Sequence, residues 1–367
     1  MEHLFPYGEY GVPNPKYAEE GYDQVELLEP EEEPPARLVA VPKTQSTPRL
    51  IAIEPTCMQY MQQGISRLLV THLERNDSKW FVGFTEQWPN QAMAQIGSED
   101  GSLATLDLSE ASDRVANWLV EDLYQDWPWF LEGIQAVRSR RVQLPSGKVI
   151  DLLKYASMGS ALTFPIEAMT FAAIAIERVL SAFGEPISLA AIRRLRDTVR
   201  VYGDDIVVPT TSAETVIDGL ETFGFKVNRN KSFWTGEFRE SCGKEYYAGY
   251  DVSIVRFRQP LPTSLRHVTE IAATVSTRNQ LYKAGLKRTA SMLDDVMVKV
   301  LKGRYPIVAE SSPVLGRLDD SIPYEWDEIN LDTFSPLVKG WVLVPKIPAN
   351  GIDGQEALLK CLLDAIG

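Results

Sequence analysis

The chain has 367 residues, 44% of them hydrophobic and 24% charged, with a net charge of −13. That balance suits a globular protein with a sizeable core and two or three subdomains, and argues against a disordered or fibrous chain. Its three cysteines, Cys57, Cys242 and Cys361, have no metal or disulfide spacing; no apolar run is long enough to span a bilayer, and the start lacks a signal-peptide pattern.

The charge is unevenly placed. Residues 1–34 hold ten acids against one base and residues 304–367 ten against five, which leaves the middle close to neutral. The stretch from Glu19 to Pro35, closing on Pro30-Glu31-Glu32-Glu33-Pro34-Pro35, reads as a mobile acidic tether, so residues 1–40 are set apart as a linker. Basic residues cluster at Arg138, Arg140 and Arg141, at Arg193, Arg194, Arg196 and Arg200, and at Arg256, Arg258 and Arg266. Such clusters either track a phosphate backbone or lie on solvated faces, and the net acidity does not exclude a nucleic-acid partner.

The first chemical pattern is a Lys-x₅-Arg pair, Lys43 and Arg49, in a polar stretch running to Pro55. It is either a solvated loop or a pair of fixed cations able to hold a triphosphate, with Arg as a planar fork and Lys as a point charge. The next runs from Leu103 to Arg114. A short strand delivers Asp107 at its end, and Ser109 or Ser112 is predicted to cap a helix carrying Val115, Trp118, Leu119 and Leu123. Asp113 falls in that helix's first turn, where it either complements the helix dipole or contacts a ribose.

Ser157-Met158-Gly159-Ser160-Ala161-Leu162-Thr163-Phe164-Pro165 leads into an apolar helix ending near Phe183. Pro165 belongs in a first helical turn, which places Ser157, Gly159, Ser160 and Thr163 at the helix mouth, where template or nucleotide contacts form readily. A plain buried helix with a glycine-containing loop is the alternative.

Tyr202-Gly203-Asp204-Asp205-Ile206 lies between two β-branched segments and reads as a hairpin with Gly203, Asp204 and Asp205 at its tip. Adjacent carboxylates repel unless a cation sits between them. Together with Asp107 they supply enough charge for two Mg²⁺ ions, the arrangement that stabilises the attacking and leaving oxygens of a phosphoryl displacement. Downstream, Lys231 is either a surface lysine or a general acid for a leaving pyrophosphate. Residues 261–303 look helical, with apolar positions at Leu281, Leu286, Met292, Val296 and Val300, and a closing helix is expected near Gln355 to Ile366.

The ordered set of segments 43–55, 103–114, 157–167, 202–205, 224–233 and 238–247 resembles the RNA-directed RNA polymerases, and among them the replicase catalytic subunits of the levivirus group of positive-strand RNA bacteriophages. Its more specific part is Gly224-Phe225-Lys226-Val227-Asn228-Arg229-Asn230-Lys231-Ser232-Phe233, continued by Phe238 to Tyr247. The resemblance implies an α+β right-hand architecture: interleaved fingers and an antiparallel palm over 41–249, and a helical thumb with the C-terminal region over 250–367. It implies copying of viral RNA from nucleoside triphosphates at Asp107, Asp204 and Asp205. These would hold two Mg²⁺ ions, with Mn²⁺ able to substitute, while Lys231 aids pyrophosphate release and Lys43 and Arg49 hold the triphosphate. Asp113 and the Ser157–Thr163 lead-in would contact nucleotide or RNA. Glu240-Ser241-Cys242-Gly243 would form the hairpin gripping the nascent strand, with Cys242 packed rather than reactive.

The same resemblance implies RNA template and product as partners and no membrane. It also implies the cytoplasm of an infected bacterial host, primer-independent initiation, and host proteins that include translation elongation factors Tu and Ts. Two departures stand out. Gly159-Ser160-Ala161 replaces the family's Gly-Asn-Gly, leaving Ser160 a single hydroxyl for ribose recognition. The chain also begins close upstream of Lys43, where family members carry a long preceding region, so a truncated or short relative is expected.

Within polymerases the rivals are a capsidless eukaryotic virus replicase, opposed by the Arg239–Tyr247 signature, and a reverse transcriptase, opposed by Tyr202-Gly203, where a bulkier residue than Gly203 would be expected, and by the polar Asp113. From another class, an inactive RNA-binding scaffold is opposed by retention of three carboxylates and Lys231.

Overall fold

The computed structural model describes residues 3–11, 28–29, 31–42 and 48–344. Lys43, most of the acidic tether and the closing helix near Gln355 lie outside the described residues. The chain divides into two compact units, residues 1–253 and 254–367.

In the first unit the strands are β1 (Ala36–Pro42), β2 (Pro48–Ile53), β3 (Leu103–Leu106), β4 (Leu108–Ser109), β5 (Arg141–Gln143), β6 (Val149–Asp151), β7 (Arg200–Tyr202), β8 (Asp205–Pro209), β9 (Lys226–Val227), β10 (Phe238–Ser241), β11 (Lys244–Tyr247) and β12 (Tyr250–Asp251). The helices are α1 (Thr56–Arg75), α2 (Trp88–Asp100), α3 (Ala111–Arg114), α4 (Asn117–Tyr124), α5 (Pro128–Ala136), α6 (Thr163–Ala182), α7 (Leu189–Arg194) and α8 (Ala213–Thr222). The mixture is α+β.

Three antiparallel strands in the order β3-β8-β7 form the central sheet, in register Leu106 opposite Ile206 and Tyr202 opposite Asp205. Every residue of β3 is buried, as are Ile206, Val207 and Val208 of β8, because helices α2 and α6 and the β10 segment cover the sheet. Continuous apolar strands of this kind are what two covered faces require. The main core runs from this sheet through Ile166, Phe171, Ala175 and Val179 of α6 to Val216, Ile217 and Leu220 of α8. That α6 face is why the helix is so apolar. No described helix is long and apolar enough to cross a membrane.

A second sheet, β2-β1-β5-β6, stands beside the lead-in to α6, since Ala52 N donates to the Met158 carbonyl at 2.8 Å. Gly159 makes this docking possible. Its φ is +129°, a backbone that L side chains rarely adopt, and a Cβ there would overlap the Ala52 carbonyl oxygen. Gly159→Ala is therefore expected to destabilise the unit by about 2–3 kcal/mol, combining backbone strain with overpacking. A thermal midpoint unchanged from the parent would refute that reading.

Three local expectations need correction. The helix after Asp107 is not opened by Ser109 or Ser112. Glu110, at φ +56°, stands at its start with no side-chain cap, and the helix breaks after Arg114. The break has a cause: Val115, Ala116 and Asn117 pair with Leu153, Lys154 and Tyr155, so α3 and α4 flank a short stretch of sheet-like pairing and Trp118 turns out to solvent. Asp205 lies on the return strand rather than in the turn, leaving Gly203 and Asp204 as the two-residue tip.

The Arg193–Arg200 cluster is not a free phosphate track. Arg193 and Arg196 pair with Asp77, Arg194 with Glu185, and Arg200 bonds Asn90 and the Lys79 carbonyl. Arg141 likewise holds the Glu31 and Glu33 carbonyls.

The second unit contains α9 (Val268–Lys283) and α10 (Lys287–Val300), with a short hairpin of β13 (Glu328–Ile329) and β14 (Pro336–Leu337). The helices pack through Ile271, Val275, Leu281, Leu293 and Met297, and a buried Arg278 grips Asp294 through two bonds of 2.8 and 2.9 Å. Leu286 and Met292 are exposed, contrary to the apolar pattern read from the sequence. Gly285, at φ +78°, ends the first helix, so the helical phase restarts at Lys287 and moves the buried positions to Leu293 and Met297.

Candidate active site

Asp107 is the first residue beyond β3, and the chain from Lys226 to Phe233 is wrapped around it. On one side β4 pairs with β9, Leu108 opposite Val227. On the other, Phe233 exchanges both backbone bonds with Thr105, at 2.7 and 3.0 Å. Between these anchors the chain makes a tight turn, Lys231 N donating to the Asn228 carbonyl at 2.9 Å. Asn228 bonds Asp107 twice, its N–H to the Asp107 carbonyl at 2.8 Å and its amide Nδ2 to Oδ2 at 2.9 Å. Ser232 Oγ accepts from Asp107 N at 3.0 Å. Lys231 is thereby held on the exposed side of the turn, near enough to favour the charged form of Asp107.

The hairpin tip is positioned by aromatic packing. The Phe164 ring, near the start of α6, meets Tyr202 and Phe84 edge-on at centroid distances of 5.2 and 6.0 Å. Tyr202 OH donates to the Phe84 carbonyl at 3.1 Å. Gly203, at φ +59°, lets the tip close over Phe164, whose ring occupies the space a Cβ would need. Asp204 projects from this tip into solvent, while Asp205 is half-buried and its Oδ1 accepts from Cys242 N at 3.0 Å and Ser241 Oγ at 3.3 Å. Cys242 is a residue of the turn between β10 and β11, and burial pushes its thiol up to about 12, which makes it a packing and backbone-donor residue rather than a nucleophile.

These acids act on one another. Burial, then the Asp204 charge, raises Asp107 above the usual carboxylate range, with Lys231 and Asn228 opposing. Asp205 is raised to about 6, again first by burial, with the Cys242 N–H opposing and Asp204 and Asp107 adding to the rise. Like charges gathered in this way favour a cation between them. Among the described residues no three His, Cys, Asp or Glu side chains already converge on one metal position. The donor set nonetheless fits a hard divalent ion: all-oxygen, anionic, and with Asp107 Oδ1, Asp205 Oδ2 and both Asp204 oxygens accepting no hydrogen bond from the described residues. An ion of that kind needs only one or two protein carboxylates, with phosphate and water completing its shell.

The remaining sequence-predicted residues divide. The Ser157–Thr163 lead-in lies directly before Phe164, but its hydroxyls are unequally free. Thr163 Oγ1 is committed to the Ser157 carbonyl at 2.7 Å and Ser160 Oγ accepts from Leu162 N at 3.3 Å, whereas the buried Ser157 Oγ has no partner among the described residues. Arg49 is exposed on β2, three residues from the Ala52 docking point, and no hydrogen bond or ion pair among the described residues joins it to the aspartates. Asp113 is ion-paired with Lys154.

Sequence reasoning assigned no role to Lys154, Asn228 or Glu167. Nothing marks Lys154, a single lysine 41 residues from its partner in a stretch without pattern. Asn228 lies inside the segment already singled out. Glu167 carries its own signal, an acid near the start of the most apolar helix.

Comparison with known proteins bears on this constellation. The family described as RNA replicase, beta-chain matches residues 23–278. The chain is similar to the RNA-directed RNA polymerase subunit beta of Qbeta virus (strain MX1), 36% identical over 67% of this chain and 38% of that protein. It is likewise similar to that of Enterobacteria phage SP, 36% identical over 72% of this chain and 42% of that protein. The beta chain from Escherichia phage MS2 is 34% identical over 60% of this chain and 37% of its own length. The chain thus spans about two fifths of the length of the curated relatives it matches. Among solved structures, a loop-deletion mutant of the RNA-dependent RNA polymerase of a human picorbirnavirus superposes with a TM-score of 0.51 at 14% identity, over 72% of this chain and 57% of that one. That likeness gives the fold, the right-hand polymerase architecture, and the sequence matches give the family: this chain belongs to the RNA replicase beta-chain family.

Proposed function

We propose that the chain carries the catalytic core of an RNA-directed RNA polymerase, which replicates a viral genome by joining nucleoside triphosphates on an RNA template. The observation that carries the reading is the meeting of Asp107, held by Asn228 and Ser232, with the Asp204–Asp205 tip, while Lys231 is fixed on the same turn as Asn228. A binding module gains nothing from gathering carboxylates against their own repulsion. Two Mg²⁺ ions, or Mn²⁺ in their place, bound by Asp107, Asp204 and Asp205 would supply charge neutralisation for the attacking 3′-oxygen and the leaving pyrophosphate. The chain's own residues do the rest. Asn228 and the Cys242 N–H orient the two half-buried carboxylates, Lys231 offers a proton or a charge to the departing pyrophosphate, and Arg49, with Lys43, neutralises the triphosphate.

In this reading the strands and helices of residues 41–249 are fingers and palm, and α9 and α10 belong to the thumb. Partners are RNA and nucleoside triphosphates. The relatives are named as subunits, so host proteins, elongation factors Tu and Ts among them, are expected to complete the enzyme in the cytoplasm of an infected bacterium.

The test is labelled nucleotide incorporation on a short RNA template, with and without a bacterial extract. Product is expected with Mg²⁺, is expected to vanish on chelation with EDTA, and is expected to return when Mg²⁺ or Mn²⁺ is restored. Product only with extract identifies a required host partner. Absence of product in both conditions, together with absence of Mg²⁺-dependent ATP binding, would sink the proposal in favour of an inactive scaffold.

A further inference from the structure

The second unit holds a cleft that the chemistry above does not use. It opens between the end of α10 and the β13–β14 hairpin, has a volume of about 770 Å³, and is lined only by residues between Val298 and Lys339. It lies beyond residue 278, where the family match stops. Its volume is that of a site for a small organic ligand. Backbone bonds fix its walls. Glu325 N donates to the Ile307 carbonyl at 2.9 Å, Asp327 N to the Leu337 carbonyl at 2.7 Å, and Arg317 N to the Pro306 carbonyl at 2.9 Å. Lys339 N donates to Asp327 Oδ2 at 2.6 Å. Side chains on such a frame are presented to a ligand with little ordering left to pay for on binding.

Two kinds of side chain meet there. Arg304, Arg317 and Lys339 supply three cations, and among the described residues no hydrogen bond or ion pair engages any of their side chains. The carboxylates of Glu325 and Asp327 line the same cleft, yet neither pairs with these cations. Elsewhere the chain neutralises its arginines, as Arg278 with Asp294 and Arg194 with Glu185 show. Cations left unpaired at a cleft are what an oxyanion with several oxygens needs. The other kind is aromatic. Tyr324 and Trp326 are 47% and 57% exposed, their ring centroids 6.3 Å apart. In the same wall Tyr305 is 3% exposed, and its enclosed hydroxyl has no partner among the described residues, a donor that packing alone does not explain.

The combination selects the ligand. Inorganic phosphate or an acidic peptide would use the cations and leave the rings idle, while an apolar segment would cover the rings and bury the cations unpaired. A nucleoside phosphate uses both, its base against the rings and its phosphate against the cations.

We infer that this cleft is a nucleotide-binding site separate from Asp107, Asp204 and Asp205, which stacks a base on Trp326 and Tyr324 and holds its phosphate with Arg304, Arg317 and Lys339. Free ATP and a nucleotide within single-stranded RNA present the same chemistry to it. The inference goes beyond the polymerase reading and stands without it.

The experiment measures equilibrium binding to the full chain in EDTA, which silences a metal-dependent site. The probes are ATP, a short oligo(A) RNA and pyrophosphate, and the proteins are the parent, Trp326→Leu and Lys339→Gln. Trp326→Leu keeps an apolar side chain but no ring. It is expected to weaken ATP or the RNA by about tenfold, the worth of one stacked base, and to leave pyrophosphate unchanged. Lys339→Gln is expected to weaken every probe that binds by about fivefold and to make binding less sensitive to salt. Both residues are exposed, so both variants are expected to melt with the parent.

A loss in Trp326→Leu seen with ATP identifies a free nucleotide as the ligand, and one seen only with the RNA identifies a strand; either supports the site. Absence of EDTA-resistant binding by both ATP and the RNA would overturn the inference. So would binding that Trp326→Leu leaves untouched, or a loss in that variant shared equally by ATP and pyrophosphate.

Discussion

Asp204→Asn and Asp205→Asn are each expected to lower nucleotide incorporation by about a thousandfold, roughly 4 kcal/mol of transition-state stabilisation, while leaving the circular dichroism spectrum and thermal midpoint those of the parent. Separation of activity from stability is the point of the pair. Asp204 is exposed on a two-residue turn and makes no hydrogen bond among the described residues, so its carboxylate contributes nothing to the fold that an amide would remove. At Asp205 the Asn side chain keeps an oxygen for Cys242 N and Ser241 Oγ, and it relieves the repulsion from Asp204 and Asp107 that, with burial, raises the native carboxyl to about 6. Only the negative charge offered to a cation is lost. Near-parent incorporation by both variants would remove the aspartates from the chemistry.

Arg239→Ala is expected to do the opposite, lowering stability by about 3–5 kcal/mol and the thermal midpoint by about 10 °C. Arg239 is 1% exposed and, among the described residues, has no carboxylate hydrogen-bonded to it. Its guanidinium donates instead to three backbone carbonyls, Leu103 at 2.6 Å, Gly236 at 2.8 Å and Phe238 at 2.7 Å. It therefore bolts β10 onto the start of β3, the strand that delivers Asp107. Removing the side chain leaves buried acceptors unpaired at roughly 1–3 kcal/mol each and opens a cavity. Arg239→Lys is expected to recover only part of the loss, because one ammonium cannot reproduce the planar fork. Urea denaturation and thermal melting measure both variants. A midpoint within 2 °C of the parent for Arg239→Ala, well inside the expected shift of about 10 °C, would show the three bonds to be dispensable. The fall in incorporation is then expected to follow the folded fraction, which distinguishes this variant from the aspartate pair.

Local chemistry was legible wherever neighbours in sequence decide the structure. Glycine followed by two aspartates between β-branched runs can close only as a tight turn, and it does so with Gly203 at φ +59°. A proline three residues into an apolar run marks the first turn of α6, because the missing N–H has no partner to lose there. The strand before Asp107 was legible for the same reason, as were helices in residues 261–303.

What failed in the sequence reading depended on partners far along the chain. The helix after Asp107 was expected to be continuous, but Val115–Asn117 is claimed by Leu153–Tyr155. The cluster from Arg193 to Arg200 was open to reading as a phosphate track, and Asp77, Glu185 and Asn90 take its four arginines. Lys154 has no local pattern at all and matters only because the fold sets it against Asp113.

The sequence by itself determined which short elements present Asp107, Asp204 and Asp205, since carboxylate, glycine and proline preferences act within a few bonds. The tertiary structure alone decided how those elements meet. Residues 107, 167, 204 and 228 come from four separate segments, and their mutual repulsion, burial and hydrogen bonding exist only once β3, α6, the hairpin and the Asn228 turn are packed together. Electrostatic and desolvation effects depend on distance through space, and no spacing along the chain encodes them.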